Sequence, residues 1–246
     1  MRHLLQTIRD LWKDPMGRVG IIGVLLLILL AVIAPLAAPY DPEQMVAMPK
    51  LAPCAEHWFG TDNYGRDIFS RILYGARVSL EVGIIAVGIG ATAGYVLGLV
   101  AGYFEGPVDR VIMCVMDILF AFPSILLAIF ISAKGLEYVS NARSVGVRTG
   151  AILSRHISPN VVAPFTVQAT LALSSAILTE ASMSFLGLGI QPPDPSWGSM
   201  LSEARSYMEQ APWTALFPIL FIVVTILLFN ILGDSLRDVL DPKLKT

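Results

Sequence analysis

Residues 80–103 read LEVGIIAVGIGATAGYVLGLVAGY, with no charged side chain after Glu81. About 20 apolar residues suffice to carry a helix across a hydrocarbon core, and a run this long that is apolar on every side does not suit a soluble domain. Gly90, Gly94, Gly98 and Gly102 recur at every fourth position. These are three consecutive small-xxx-small steps, the pattern that lets a neighbouring backbone approach one face of a membrane helix. The stretch therefore predicts an all-α, polytopic membrane protein. Its glycine face is either a seam with a partner subunit or a packing surface within the chain.

The rest of the chain agrees. Hydrophobic residues make up 55% and charged residues 15%, and the mean hydropathy is +0.68, values outside what a soluble domain needs. A net charge of -2 argues against a nucleic-acid partner, which would call for a basic excess. Five runs are candidate spans: 19–38, 80–103, 111–133, 161–183 and 213–233. The first is too long for a signal-peptide core, although small residues near Ala37 imitate a cleavage site, and it reads as a retained anchor. Ahead of it, in residues 1–18, Leu4, Leu5, Ile8, Leu11 and Trp12 recur at helical spacing beside Arg2, Arg9 and Lys13. That is the pattern of a helix lying on the cytoplasmic membrane surface, and the alternative is a simple charged flank.

Orientation follows from Lys and Arg, which stay on the cytoplasmic side of span ends. Arg2, Arg9, Lys13 and Arg18 put the N-terminus inside. Lys134, Arg143, Arg148 and Arg155 against the single acid Glu137 put the following segment inside, and Arg237, Lys243 and Lys245 do the same for the tail. Residues 184–212 hold Arg205 against Asp194, Glu203 and Glu209, so they belong outside. Five spans cannot satisfy these votes, because three spans from an inside N-terminus put Lys134 outside. One crossing is missing between Val111 and Glu137. Either a helix is absent near 133–135, or the third run is a re-entrant element.

Ionisable groups at membrane depth are functional suspects because burying them is expensive. Glu81, Asp117 and Glu180 qualify. Glu81 and Glu180 fall near span ends, where a solvated or hydrogen-bonded structural role fits. Asp117 sits inside the third run, upstream of Pro123, and is a candidate for the pathway or an interface. The fourth run is weakly apolar, with Thr166, Gln168, Thr170, Ser174, Ser175 and Thr179. It either lines a polar pathway or uses its hydroxyls as glue between helices. There is no GxxxxGK[ST] phosphate loop and no HExxH, and His3, His57 and His156 are scattered, so no residues carry ATP hydrolysis or zinc chemistry. Cys54 and Cys114 form no cluster and are expected to be reduced. No metal or cofactor is expected. Any energy for transport must come from another chain. A secondary transporter would show internal repeats, and none is visible.

Residues 136–160, LEYVSNARSVGVRTGAILSRHISPN, form a basic island among the apolar runs. Residues 136–145 and 147–156 are each able to form a short helix, broken by Gly146 and ended before Pro159. Two short helices joined by a glycine would make a cytoplasmic knob suited to a partner's groove, where the plain alternative is a solvated loop. This segment resembles the coupling loop of ABC importer permeases, in which Glu-Ala-Ala is followed by glycine, a hydrophobic residue and proline. Ala142, Gly146 and Pro159 match that register. Ser140 and Asn141 stand where the pattern has Glu and the first Ala, and Ser158 where it has Leu. Residues 57–80, 117–129, 180–201 and 230–245 narrow the resemblance to the C-type membrane subunit of dipeptide, oligopeptide and nickel importers.

The resemblance implies a MetI-like helical bundle with six spans, where five are apparent here. It implies alternating access, in which a periplasmic or lipid-anchored binding protein delivers peptide and two ATPase subunits drive a pair of permeases in the bacterial inner membrane. On that reading Glu137, Ala142, Arg143, Ser144, Gly146, Arg148 and Pro159, within a coupling loop at 135–160, meet the ATPase. Gly90, Gly94, Gly98, Asp117, Gln168 and Glu180 belong to the translocation pathway or a subunit interface. Trp197 and Gly198 would face the binding protein, although Trp197 reads equally as an interfacial aromatic anchor. Nickel or glutathione import, and a truncated subunit that assembles without transporting, remain alternatives.

Overall fold

The computed structural model describes residues 9–104, 106–119, 158–191 and 193–240 of the 246. Its helices in chain order are α1 (Pro15–Ala37), α2 (Ile68–Phe104), α3 (Gly106–Leu119), α4 (Ser158–Phe185), α5 (Trp197–Ala204) and α6 (Trp213–Leu240). Among the described residues there is no strand, only the isolated bridges Met45–Arg66 and Thr61–Asp67. Helices α1, α2 and α6 are long and apolar enough to cross a membrane, and only 28–33% of their most apolar windows is buried. Exposed Leu25, Leu29, Val32, Leu220, Val224 and Leu227 are stable on such helices because lipid is as apolar as they are.

Three of the expected spans, 19–38, 80–103 and 213–233, thus lie on α1, α2 and α6. Helix α2 starts at Ile68, earlier than its apolar run. The cause is Asp67, whose Oδ2 accepts the backbone N–H of Ser70 at 2.8 Å, capping the helix before its apolar part begins. The expected span 161–183 lies on α4, whose 28 residues reach about 42 Å. Of the expected span 111–133, α3 covers the part up to Leu119 and the remainder lies outside the described residues, as does the proposed gap near 133–135. In the flank 1–18, residues 9–13 are helical and a bend at Asp14 separates them from α1. Leu11 is buried while Trp12 is exposed.

The chain divides into two compact units. The first comprises Pro15–Ile85 and Leu173–Leu232. Its core joins Val24 and Ala31 of α1, Ala76 and Leu80 of α2, Ile177 and Ala181 of α4, Trp197 of α5, and Ile222 and Phe229 of α6. Glycines set its closest crossing: a Cβ on Gly20 would lie 2.9 Å from the backbone N of Leu232, and one on Gly23 would lie 2.2 Å from Leu228 Cδ2. The second unit comprises Met1–Asp14, Ala86–Ala172 and Gly233–Thr246. Within it the rings of Tyr95 and Phe165 meet edge to face at 5.2 Å. Gly90, Gly94, Gly98 and Gly102 are all buried within the chain itself.

Candidate functional site

Of the expected coupling residues, Glu137, Ala142, Arg143, Ser144, Gly146 and Arg148 lie outside the described residues, together with most of 135–160. Pro159 is the second residue of α4, a position where proline's missing N–H costs nothing and its fixed φ helps start a helix. Asp117 lies in the last turn of α3.

Helix α4 sorts its polar side chains onto two faces. On one, Glu180 is buried and accepts hydrogen bonds from Ser79 Oγ of α2 at 2.9 Å and from Ser184 Oγ at 2.8 Å. Ser174 Oγ, also buried, donates to the Ile226 carbonyl of α6 at 3.4 Å. These hydrogen bonds tie α4 to α2 and α6. On the other face Ser175, Thr179 and Ser182 are exposed, at the i, i+4, i+7 spacing of one helical stripe. Thr179 Oγ1 and Ser182 Oγ donate to the carbonyls of Ser175 and Leu178, each at 2.7 Å. Half-buried Gln168 sits seven residues before Ser175 on the same stripe. Glu81 is exposed on α2, one turn after exposed Arg77. The two border a cavity of about 430 Å³ lined also by Ile28 and Val32 of α1.

Residues 38–67 are held to α5 and the start of α2 by a polar clamp. Asp62 Oδ1 accepts the N–H groups of Tyr64 and Arg66 at 2.8 and 3.0 Å, and Oδ2 accepts Arg66 Nε at 2.6 Å. Arg66 also pairs with Glu203, which Arg71 reaches from α2 at 3.3 Å. Behind it, His57 Nδ1 and Asp67 Oδ1 lie 2.9 Å apart, both buried. Two glycines make the turn possible. Gly60 and Gly65 have φ of 75° and 80°, and a Cβ on them would lie 2.5 Å from the Leu51 carbonyl oxygen and 2.1 Å from that of Ala47. Tyr207 closes the clamp by donating its O–H to Asn63 Oδ1 at 3.0 Å. Burial, reinforced by the Asp62 carboxylate, pushes its phenol up to about 12.

Trp197 does not face outward. It is wholly buried, its Nε1 donates to the Ile72 carbonyl at 3.1 Å, and its ring lies 3.0 Å from where a Cβ on Gly75 would be. Gly198 is held as closely, since a Cβ there would meet the Ala181 carbonyl oxygen at 2.4 Å. Both residues join α5 to α2 and α4, so neither the binding-protein surface nor the interfacial anchor describes Trp197. The clamp of Asp62, Arg66, Arg71 and Glu203 went unnoticed in the sequence. The i, i+4 spacing of Asp62 and Arg66 was a visible signal, but nothing local points to Glu203, 137 residues from Arg66.

Residues 130–246 match the family described as binding-protein-dependent transport system inner membrane component. Residues 4–53 match the N-terminal TM domain of oligopeptide transport permease C. The chain is 47% identical over 242 residues to the glutathione transport system permease protein GsiD of Pectobacterium atrosepticum, covering 85% of this chain and 80% of that one. It is 42% identical over 274 residues to the dipeptide transport system permease protein DppC of Alkalihalophilus pseudofirmus, covering 98% of this chain and 90% of the other. That alignment runs over 274 positions against the 246 residues present here, so at least 28 positions face a gap in this chain.

Proposed function

Because this chain belongs to the inner-membrane components of binding-protein-dependent transport systems, among the permeases of peptide and nickel importers, we propose that its basic segment 135–160 is the cytoplasmic handle through which an ATPase drives it. The protein is the membrane permease of an ATP-driven importer, a transport component of the bacterial inner membrane that works with an ATPase and a substrate-binding partner. Its substrate class is small peptides. The 42% identity to a dipeptide permease across 98% of the chain carries this reading. The likeness to a glutathione permease fits the same class, because glutathione is itself a tripeptide.

In the assembly we place this chain beside a second, different permease and above two ATPases, with its N-terminus and residues 1–18 on the cytoplasmic side and the binding protein, free or lipid-anchored, outside. Glu137, Ala142, Arg143, Ser144, Gly146, Arg148 and Pro159 would meet the ATPase. The stripe of Gln168, Ser175, Thr179 and Ser182 supports a pathway or subunit-interface face for α4, because hydroxyls on a membrane helix favour protein or water over lipid. Glu180, enclosed on the opposite face, would position that helix. The burial of Gly90, Gly94 and Gly98 supports packing within the chain. Asp117 stays a candidate for the pathway or an interface.

The unmatched positions, at least 28 in total, outnumber the about 20 residues of one span, a total compatible with a missing helix near 133–135, the reading we prefer over a re-entrant third run. That total also favours a second reading, a subunit that assembles without transporting. Two measurements separate these. Co-expressed with its operon neighbours, the protein should retain a second permease and two ATPases, and Gly146→Trp with Arg143→Glu should abolish peptide-stimulated ATP hydrolysis. Loss of the partners, or intact stimulation in the variant, ends the coupling reading. Single cysteines at Ser144 and Thr149 should label only from the cytoplasmic side, and labelling from outside intact cells would show that the segment cannot couple.

A further inference from the structure

Just beyond the end of α1 and ahead of α2, the loop encloses a pocket of about 290 Å³ lined by Pro39, Tyr40, Glu56, Trp58, Asp67 and Phe69. Its apolar walls are aromatic. The Trp58 and Phe69 rings lie 4.9 Å apart at 55°, and the Tyr40 ring lies 5.0 Å from that of His57. Trp58 is 60% exposed, so burial in the core does not account for a tryptophan there. The polar walls are anionic. Asp67 is 1% exposed, and its Oδ2 is taken by the Ser70 N–H and O–H while its Oδ1 faces His57. One Oδ1 lone pair remains, since a carboxylate offers about four acceptor sites. Glu56 is exposed at the rim and adds a second carboxylate to the lining. None of the lining residues is a Lys or Arg.

We propose that this pocket binds a primary ammonium group. Aromatic faces attract a cation through the ring quadrupole, and carboxylates accept its N–H donors, which a trimethylammonium lacks. The volume suits an ethanolamine headgroup or the first residue of a peptide, with the rest of the ligand projecting past the exposed Trp58 and Glu56 at the rim. Two sources meet at this level. Tyr40 follows the end of one spanning helix and Asp67 caps another, so phospholipid headgroups and aqueous solutes both reach the opening. The proposal rests on this geometry and holds whichever peptide the importer carries.

The test is calorimetric titration of the full-length protein in nanodiscs of phosphatidylcholine and phosphatidylglycerol. The probes are dihexanoylphosphatidylethanolamine, dihexanoylphosphatidylcholine and dialanine. At least one ammonium probe should bind saturably, and Glu56→Gln and Trp58→Leu should each weaken it about tenfold, in line with a desolvated cation–π contact and a lost charge. The choline probe should bind more weakly than its ethanolamine counterpart. Binding of the ethanolamine probe alone assigns the site to lipid, and binding of dialanine alone assigns it to peptide. If neither ammonium probe saturates, or if both variants bind like the parent, the proposal falls. Both substituted side chains are exposed, and Glu56→Gln keeps the test valid should Trp58→Leu lower stability.

Discussion

At Gly65 two constraints coincide, a φ of 80° and a carbonyl oxygen 2.1 Å from where a Cβ would sit. Gly65→Ala should therefore cost about 1–3 kcal/mol through backbone strain alone, with the clash added. Gly88, with nothing within 4 Å of its Cβ position, should accept alanine without loss, and the two melting temperatures in one detergent make the comparison. Glu180→Leu leaves the Ser79 and Ser184 hydroxyls without their acceptor, a loss of about 1–3 kcal/mol. Glu180→Gln, which keeps an acceptor, should recover most of it. Tyr207 offers a pH test. Its phenol titrates near 12 in the folded chain and near 10 in an unfolded one. A group that holds its proton more tightly when folded contributes fully below about pH 10 and loses that contribution as pH rises toward 12. Stability should fall across that window, less so in Tyr207→Phe, and ultraviolet absorbance of the phenolate reports the titration directly.

Among elements, the α1–α6 crossing is governed by Gly20 and Gly23. Opposite Gly20 stands backbone, at 2.9 Å, which cannot move aside, whereas opposite Gly23 stands the end of the Leu228 side chain. Gly20→Val should therefore unfold the protein at markedly lower temperature with no rescue from α6. Gly23→Ala should be rescued by Leu228→Ala, giving a coupling energy of about 0.5–3 kcal/mol in a double-mutant cycle. Additive effects would mean that the helices do not cross there. For α4 the division into two polar faces matters more than its composition. Ser174 and Glu180 hold it to its neighbours, and Ser175, Thr179 and Ser182 are left for whatever the chain meets in the membrane.

For the molecule as a whole, the clamp from Asp62 through Arg66 and Arg71 to Glu203 ties residues 38–67 to α5 and α2 across more than a hundred residues of chain. Glu203→Ala leaves two largely buried guanidiniums with only Asp62 as counter-ion. The expected cost is about 3 kcal/mol, the lower end for breaking a buried pair, measured as a fall in melting temperature. Retention of partner subunits in the same variant would show whether the clamp also shapes the assembly.

The sequence by itself determined the membrane class, the positions of α1, α2 and α6 and the family, because twenty-residue apolarity and long linear motifs are local properties. It also pointed to a missing crossing through charge parity, a count that needs no coordinates. It misplaced Trp197, since a tryptophan in a loop between spans reads as exposed unless Ile72 and Gly75 are known to lie against it. It stopped short of the start of α2 because a helix begun by an Asp67 cap outside the membrane has no apolar signature. Only the tertiary structure decided which face of α4 is enclosed, why residues 57–67 need two glycines, and that Arg66 finds Glu203. These depend on contacts between residues far apart in the chain, and pairing over such distances leaves no periodic trace in a single sequence.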